Sequence, residues 1–158
     1  HMKKEYICIY NNLIKLTRNK SLYSNLKEND SFSDRLTFLL LHLSFFFKAY
    51  KGNSSKKKLQ EIHDLIFNQI ELSIREIGYG DVSINKNMKK YVNYFYDILG
   101  SVDRWDSTEN QNKIEILYKY INKPQNITFF LNYFDKLSIF YKNNSLNFFT
   151  KDIEDLKI

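Results

Sequence analysis

The sequence predicts an all-α, single-domain bundle of about six to seven helices, and three observations carry that expectation. A single proline, Pro124, and four glycines are too few for the turns of a β-sandwich or barrel. Apolar residues recur at three- and four-residue spacing along most of the chain. An apolar content of 43% supports a packed core, and a chain of 158 residues buries roughly 70% of its unfolded surface.

His1-Met2 reads as a cloning remnant, leaving residues 3–158 as one domain without internal repeat or linker. The opening helix spans about Lys3 to Arg18, on the spacing of Tyr6, Ile9, Tyr10, Leu13 and Leu16. "NKSLYSNLKENDSFSD" follows as a loop with a few apolar anchors. Ser31 or Ser33 caps the next helix, which reaches about Tyr50 and stops at Gly52. Its run "LTFLLLHLSFFF", Leu36–Phe47, is apolar nearly all round and belongs at the centre of the core. At 12 residues it falls short of the roughly 20 that cross a bilayer. "KGNSSKKK" is a connector in which Ser55 caps a third helix, striped by Leu59, Ile62, Ile66, Ile70, Ile74 and Ile77. Gly78 then suits a left-handed C′ position. A fourth helix starts near Ser83 and turns Met88, Val92, Phe95 and Leu99 inward. A fifth covers about Thr108 to Ile121, Pro124 opens a sixth, and "LNFFTKDIEDLKI" adds a short terminal helix.

Composition narrows the chemistry. Cys8 is the only cysteine, so no internal disulfide forms; no Cys/His cluster has metal-ligand spacing. His42, within the most apolar helix, and His63, beside Asp64, read as core histidines with backbone or carboxylate partners. No nucleophile, base and orienting group fall into a pattern, so neither a catalytic residue nor a cofactor is expected. Charge is uneven: residues 1–58 hold 12 Lys/Arg against 4 Asp/Glu, the remainder 12 against 14. A basic half steers a protein towards nucleic acid, a ribosome or an anionic membrane face. Lys, Asn, Ile, Phe and Tyr all have AT-rich codons, so the four arginines say more than the lysines do.

The stretch "REIGYGDVSINKNMKKYVNYFY", Arg75–Tyr96, spends two of the four glycines between two helices. It lacks the third glycine of a dinucleotide fingerprint and the Gly-Lys-Ser/Thr of a phosphate loop. A tight turn explains Gly78 and Gly80 through positive φ. Glu71 and Arg75 stand in the favourable i,i+4 order. Glu76, at a helix C-terminus, calls for a cation from Lys86, Lys89 or Arg35. Asp81 sits just ahead of the next helix, where free N–H groups favour it. Arg75, Glu76 and Asp81 thus form a charged lattice at the corner, and Lys86, Lys89 and Lys90 a basic face beside it. That face is either solvated or, with nearby Tyr94, able to meet nucleic acid.

"LSIREIGYGDVSINKNMKKYVNYFY" resembles the signature of the ubiquinol–cytochrome c chaperone family, in which Leu-Arg-Glu-Met-Gly-x-Gly-Asp leads into a Lys-containing helix ending Phe-Tyr-Gly-Arg. Arg75-Glu76, Gly78, Gly80-Asp81, Lys86, Met88-Lys89-Lys90 and Phe95-Tyr96 match, and Asp34-Arg35 with Leu41-His42-Leu43 resembles an upstream segment. Asp97-Ile98 replaces the family's Gly-Arg. The resemblance implies a non-enzymatic helical chaperone that binds newly made cytochrome b and assists assembly of respiratory complex III. It implies nascent or unassembled cytochrome b as client, a place near the ribosomal tunnel exit, and a small partner protein. Arg75, Glu76, Asp81, Lys86, Lys89 and Lys90 become the partner-contact residues. Arg35, His42, Gly78, Gly80, Phe95 and Tyr96 become their support, with His42 beneath. AT-rich composition and the lack of a transit peptide favour a bacterial member, cytoplasmic or peripheral at the cytoplasmic face of the inner membrane. An apolar groove beside the corner is the expected client site. The alternative is a basic helical module that binds the ribosome or RNA.

Overall fold

The computed structural model describes residues 3–28, 31–78 and 80–158, with the backbone alone of Asp81. Among these, seven α-helices and two 3-10 turns follow one another: α1 (Lys4–Thr17), α2 (Lys20–Ser24), α3 (Phe32–Tyr50), α4 (Lys56–Ile77), α5 (Asp81–Val102), a turn at Trp105–Ser107, α6 (Asn110–Tyr120), α7 (Ile127–Lys142) and a turn at Leu146–Thr150. The only pairing of β type described is an isolated antiparallel bridge between Leu26 and Pro124. The class is all-α and the chain forms one domain.

α3 is the central post, as its composition demands. Every residue from Phe38 to Phe46 is buried, which uses all faces of the helix. It packs against α1, α5 and α7, while α4 leans on α1 and α5, and α6 on α7. The rings close the core in pairs: Phe45 stacks on Phe134 at 5.3 Å and meets Trp105 edge-on at 5.1 Å. Phe47 meets Phe95 edge-on at 5.4 Å, tying α3 to α5. Such aromatic pairs contribute about 0.5–1.5 kcal/mol beyond the area they bury.

Local chemistry sets most helix ends. Ser31, not Ser33, caps α3 by accepting from the Asp34 N–H at 3.1 Å, and Ser55 does the same for Lys58 at 3.1 Å. Gly78 ends α4 with φ 101°, the left-handed conformation expected of it. Gly80 departs from expectation: its φ is −74°, so its role at the N-cap of α5 does not need positive φ. α5 begins at Asp81 rather than near Ser83, placing Asp81 in the first turn instead of ahead of it.

Two further expectations are corrected, and a third, the short terminal helix, is met in part. The stretch after α1 contains the short helix α2, because Asn19 caps it through the Ser21 N–H at 3.0 Å. Pro124 does not open a helix. It sits in the bridge with Leu26, flanked by Lys27 N–H to Lys123 C=O (2.9 Å) and Gln125 N–H to Asn25 C=O (2.7 Å). α7 starts three residues later, where the Asn126 side chain accepts from the Phe129 N–H at 3.3 Å. The C-terminal segment carries a 3-10 turn and then leaves helical geometry. Asn12 holds it, donating to the carbonyls of Phe149 (3.0 Å) and Lys151 (2.8 Å) and accepting from the Ile153 N–H (3.3 Å).

Candidate functional site

α3 runs antiparallel to α1 and α4, so the C-terminal ends of α1 and α4 meet the N-terminal end of α3. A groove of about 630 Å³ opens there. Same-face spacings line it: Tyr10, Ile14 and Arg18 along α1, Phe32, Leu36 and Leu39 along α3, and Ile70, Ser73 and Ile77 along α4. Leu36, Leu39 and Ile70 are buried floor residues, whereas Ile77 is 54% exposed. Polar groups mark the rim, with Arg18, Lys20 and Arg35 contributed by the α1, α2 and α3 side and Glu76 by α4. The Tyr10 phenol lies between the two charge signs. Burial pushes its pKa up, Glu76 adds to the rise, and Ser73 and Arg18 oppose it.

Ile77 and Gly78 join this groove directly to the glycine corner. Glu71 and Arg75 form the expected i,i+4 ion pair at 3.7 Å on the outer face of α4. Glu76 turns towards the groove that Arg35 also lines. Among the described residues Lys86 and Lys89 do not form an ion pair with it. Instead Lys86 and Lys89 join Val82, Asn93 and Tyr96 in one exposed stripe of α5, with Lys90 exposed at its side. Val82, 86% exposed, and Tyr96, 50% exposed, bring apolar surface to that stripe. The Asp81 side chain lies outside the described residues.

The supporting residues divide. Phe95 is fully buried and packs against Phe47, Phe67 and His63. Tyr96 stacks on His63 at 5.7 Å, and His63 Nδ1 lies 3.2 Å from the Asp64 carboxylate. The hydrogen-bond partners of His42 belong to α3 itself and to α7, not to the helices that flank the corner. Nδ1 donates to the Phe38 carbonyl at 2.6 Å, which leaves Nε2 to accept from the Tyr133 hydroxyl at 2.5 Å. Burial lowers its pKa to about 4, against the pull of the Phe38 carbonyl, so the ring is neutral at pH 7. His42 therefore fastens α3 to α7.

Sequence reasoning anticipated a groove beside the corner but not the residues that build it. Arg18, Lys20 and Phe32 had no assigned role, because only the meeting of three helix ends makes them neighbours. The i, i+4, i+8 spacing of Tyr10, Ile14 and Arg18 was the available signal.

A model of the ubiquinol-cytochrome C chaperone family matches residues 24–115, more than half of the chain and including the whole of α3, α4, the corner and α5. No curated protein and no solved structure matches significantly. Among the described residues no helix is long and apolar enough to cross a membrane. The motif residues, their placement at one corner and the family match agree: the chain belongs to the ubiquinol-cytochrome C chaperone family, and its general role is that of an assembly chaperone for respiratory complex III.

Proposed function

We propose that the chain acts without enzymatic chemistry, binding newly made cytochrome b through the groove and the adjoining corner. One observation carries this reading: an apolar-floored groove opens against Ile77, its α3 and α4 sides within the segment that the family model covers and its α1 side ahead of it. Grooves of this kind accept the apolar face of a helix. Cytochrome b supplies such helices before they enter the membrane or find their final neighbours. Arg75, Glu76 and Asp81 at the corner, with Lys86, Lys89 and Lys90 on the stripe, are the proposed polar contacts around the client. Gly78 and Phe95 hold those contacts in place, Gly78 by its turn and Phe95 from the core.

Lys86, Lys89, Lys90 and Tyr96 are all exposed on one helix, which favours a second contact at the ribosome or with a small partner protein. The α5 stripe is on this reading the tether and the groove the client site. Crosslinking pull-down from membranes and cytosol tests both. Wild type should recover cytochrome b, and Asp81→Lys/Lys89→Glu should recover much less while keeping the wild-type helical spectrum. Cytochrome b that assembles normally in cells lacking the gene would sink the proposal. Ribosomal components lost at high salt, without cytochrome b, would favour RNA binding alone.

A further inference from the structure

The groove is electrically one-sided. Arg18 at the end of α1, Lys20 at the start of α2 and Arg35 in the first turns of α3 stand along one wall, with Glu76 on the α4 wall opposite. Arg18 and Lys20 are exposed and make no ion pair among the described residues. They also form the ridge to a second concavity of about 560 Å³, whose other cations are Lys15 and Lys157. Lys15 is committed to Asp152 and the Ile153 carbonyl, but Lys157 is exposed. A segment that leaves the groove over this ridge passes from an apolar floor onto Arg18 and Lys20, with Lys157 beyond them. Charges placed so exert little net pull on a neutral segment, but they discriminate strongly by sign and speed encounter.

We infer that the groove selects an apolar helix bearing carboxylates at one end, seated so that the acidic end lies on the Arg18–Lys20 ridge. The inference rests on the groove being the client site and adds to it a direction and a charge rule. The floor formed by Leu36, Leu39 and Ile70 accepts the apolar face. Arg18 and Lys20 receive the carboxylates, and Glu76 disfavours an acidic group on the opposite wall. A helix flanked by lysines is repelled at the ridge, so the site rejects cationic-flanked helices of equal hydrophobicity.

Fluorescence anisotropy with labelled synthetic helices tests this. The peptides share one Leu/Phe face and differ only in a terminal flank of glutamates, glutamines or lysines. The glutamate peptide should bind about fivefold tighter than the glutamine peptide, as expected for two partly exposed ion pairs. The lysine peptide should bind weakest, and the differences should shrink at about 0.5 M salt. Arg18→Glu/Lys20→Glu should invert the order, and its exposed positions leave the core intact. Equal binding of the three peptides, or an order unchanged in the variant, overturns the charge rule and leaves the groove as client site. Failure of every peptide to bind, with Ile77→Glu still recovering cytochrome b like wild type, removes the groove reading itself. If phosphatidylglycerol vesicles bind through Arg18 and Lys20 while no peptide does, the occupant is a lipid and the inference falls.

Discussion

His42 should make the fold acid-sensitive well above the range of ordinary carboxylates. Its folded pKa is about 4, against 6.5 for the free side chain, because the ring is wholly buried. As pH falls, the unfolded chain takes up a proton near 6.5 and the folded chain does not. Stability therefore falls from about pH 6.5 down to about pH 4 and levels off below that. At ~1.4 kcal/mol per decade the whole loss is about 3 kcal/mol, of which about 2 kcal/mol accrues between pH 7 and pH 5. The carboxylates held low in the folded state, Asp97, Asp103 and Asp106, lose their contribution only as pH falls through the carboxylate range, so the higher window is separable. Urea unfolding of wild type and His42→Gln at half-unit steps reads the difference. The wild type should lose about 2 kcal/mol more than the variant between pH 7 and pH 5. Parallel pH profiles, or a His42 imidazole resonance that titrates near 6.5 in the folded protein, would refute the buried neutral ring and its bond from Tyr133.

Other substitutions separate the roles of single residues. Gly78→Ala should destabilise by about 1–2 kcal/mol, since φ 101° is hostile to a Cβ. Gly80→Ser should stabilise by about 0.5–1 kcal/mol, because its φ is ordinary, no atom lies within 4 Å of the new Cβ and a missing cap is supplied. Thermal melts showing equal losses at both would remove the distinction between the two glycines. Asn12→Ala should cost about 1–3 kcal/mol and speed amide exchange at Ile153, since three buried or half-buried backbone groups lose one partner. Asp106 accepts from Lys48 (2.7 Å), Lys142 (2.8 Å) and Ser138 (2.8 Å), and these bonds outweigh burial to hold its carboxyl well below the usual range. Because that side chain is 37% exposed, Asp106→Asn should cost only about 1 kcal/mol at pH 7, measured by urea midpoint. The deficit relative to wild type should begin to shrink as pH drops past the ordinary carboxylate value and disappear only below the depressed folded one.

What the sequence made legible was local. The unbroken apolar run of α3 announces a central helix, and Ser55 and Gly78 are capping residues whose roles depend on neighbours a few positions away. α2 escaped because five residues carry too little periodicity to be read, and such a helix persists only where Asn19 caps it and Leu22 is buried. Pro124 was misplaced because its bridge partner, Leu26, is remote in sequence. The motif marks the corner, since its glycines and charges are contiguous. The groove is not contiguous: Arg18, Phe32 and Ile77 become neighbours only once three helices have chosen their relative tilt. His42 shows the same limit, since nothing in its local sequence selects Tyr133 as partner.

The Asn12 clasp has a consequence for how the molecule is made. It joins the first helix to Phe149, Lys151 and Ile153, at sequence separations of 137 to 141. Contacts so distant form late, and they cannot form at all until residue 153 has left its own ribosome. The helices bearing the family motif emerge much earlier, with the α3 face of Phe38, His42 and Phe45 exposed and neither α7 nor the final segment yet in place. An assembly chaperone thus passes through its own interval of exposure. Arrest of translation before residue 127, with protease added to the stalled complexes, would show α3 cut readily and then protected once α7 is complete.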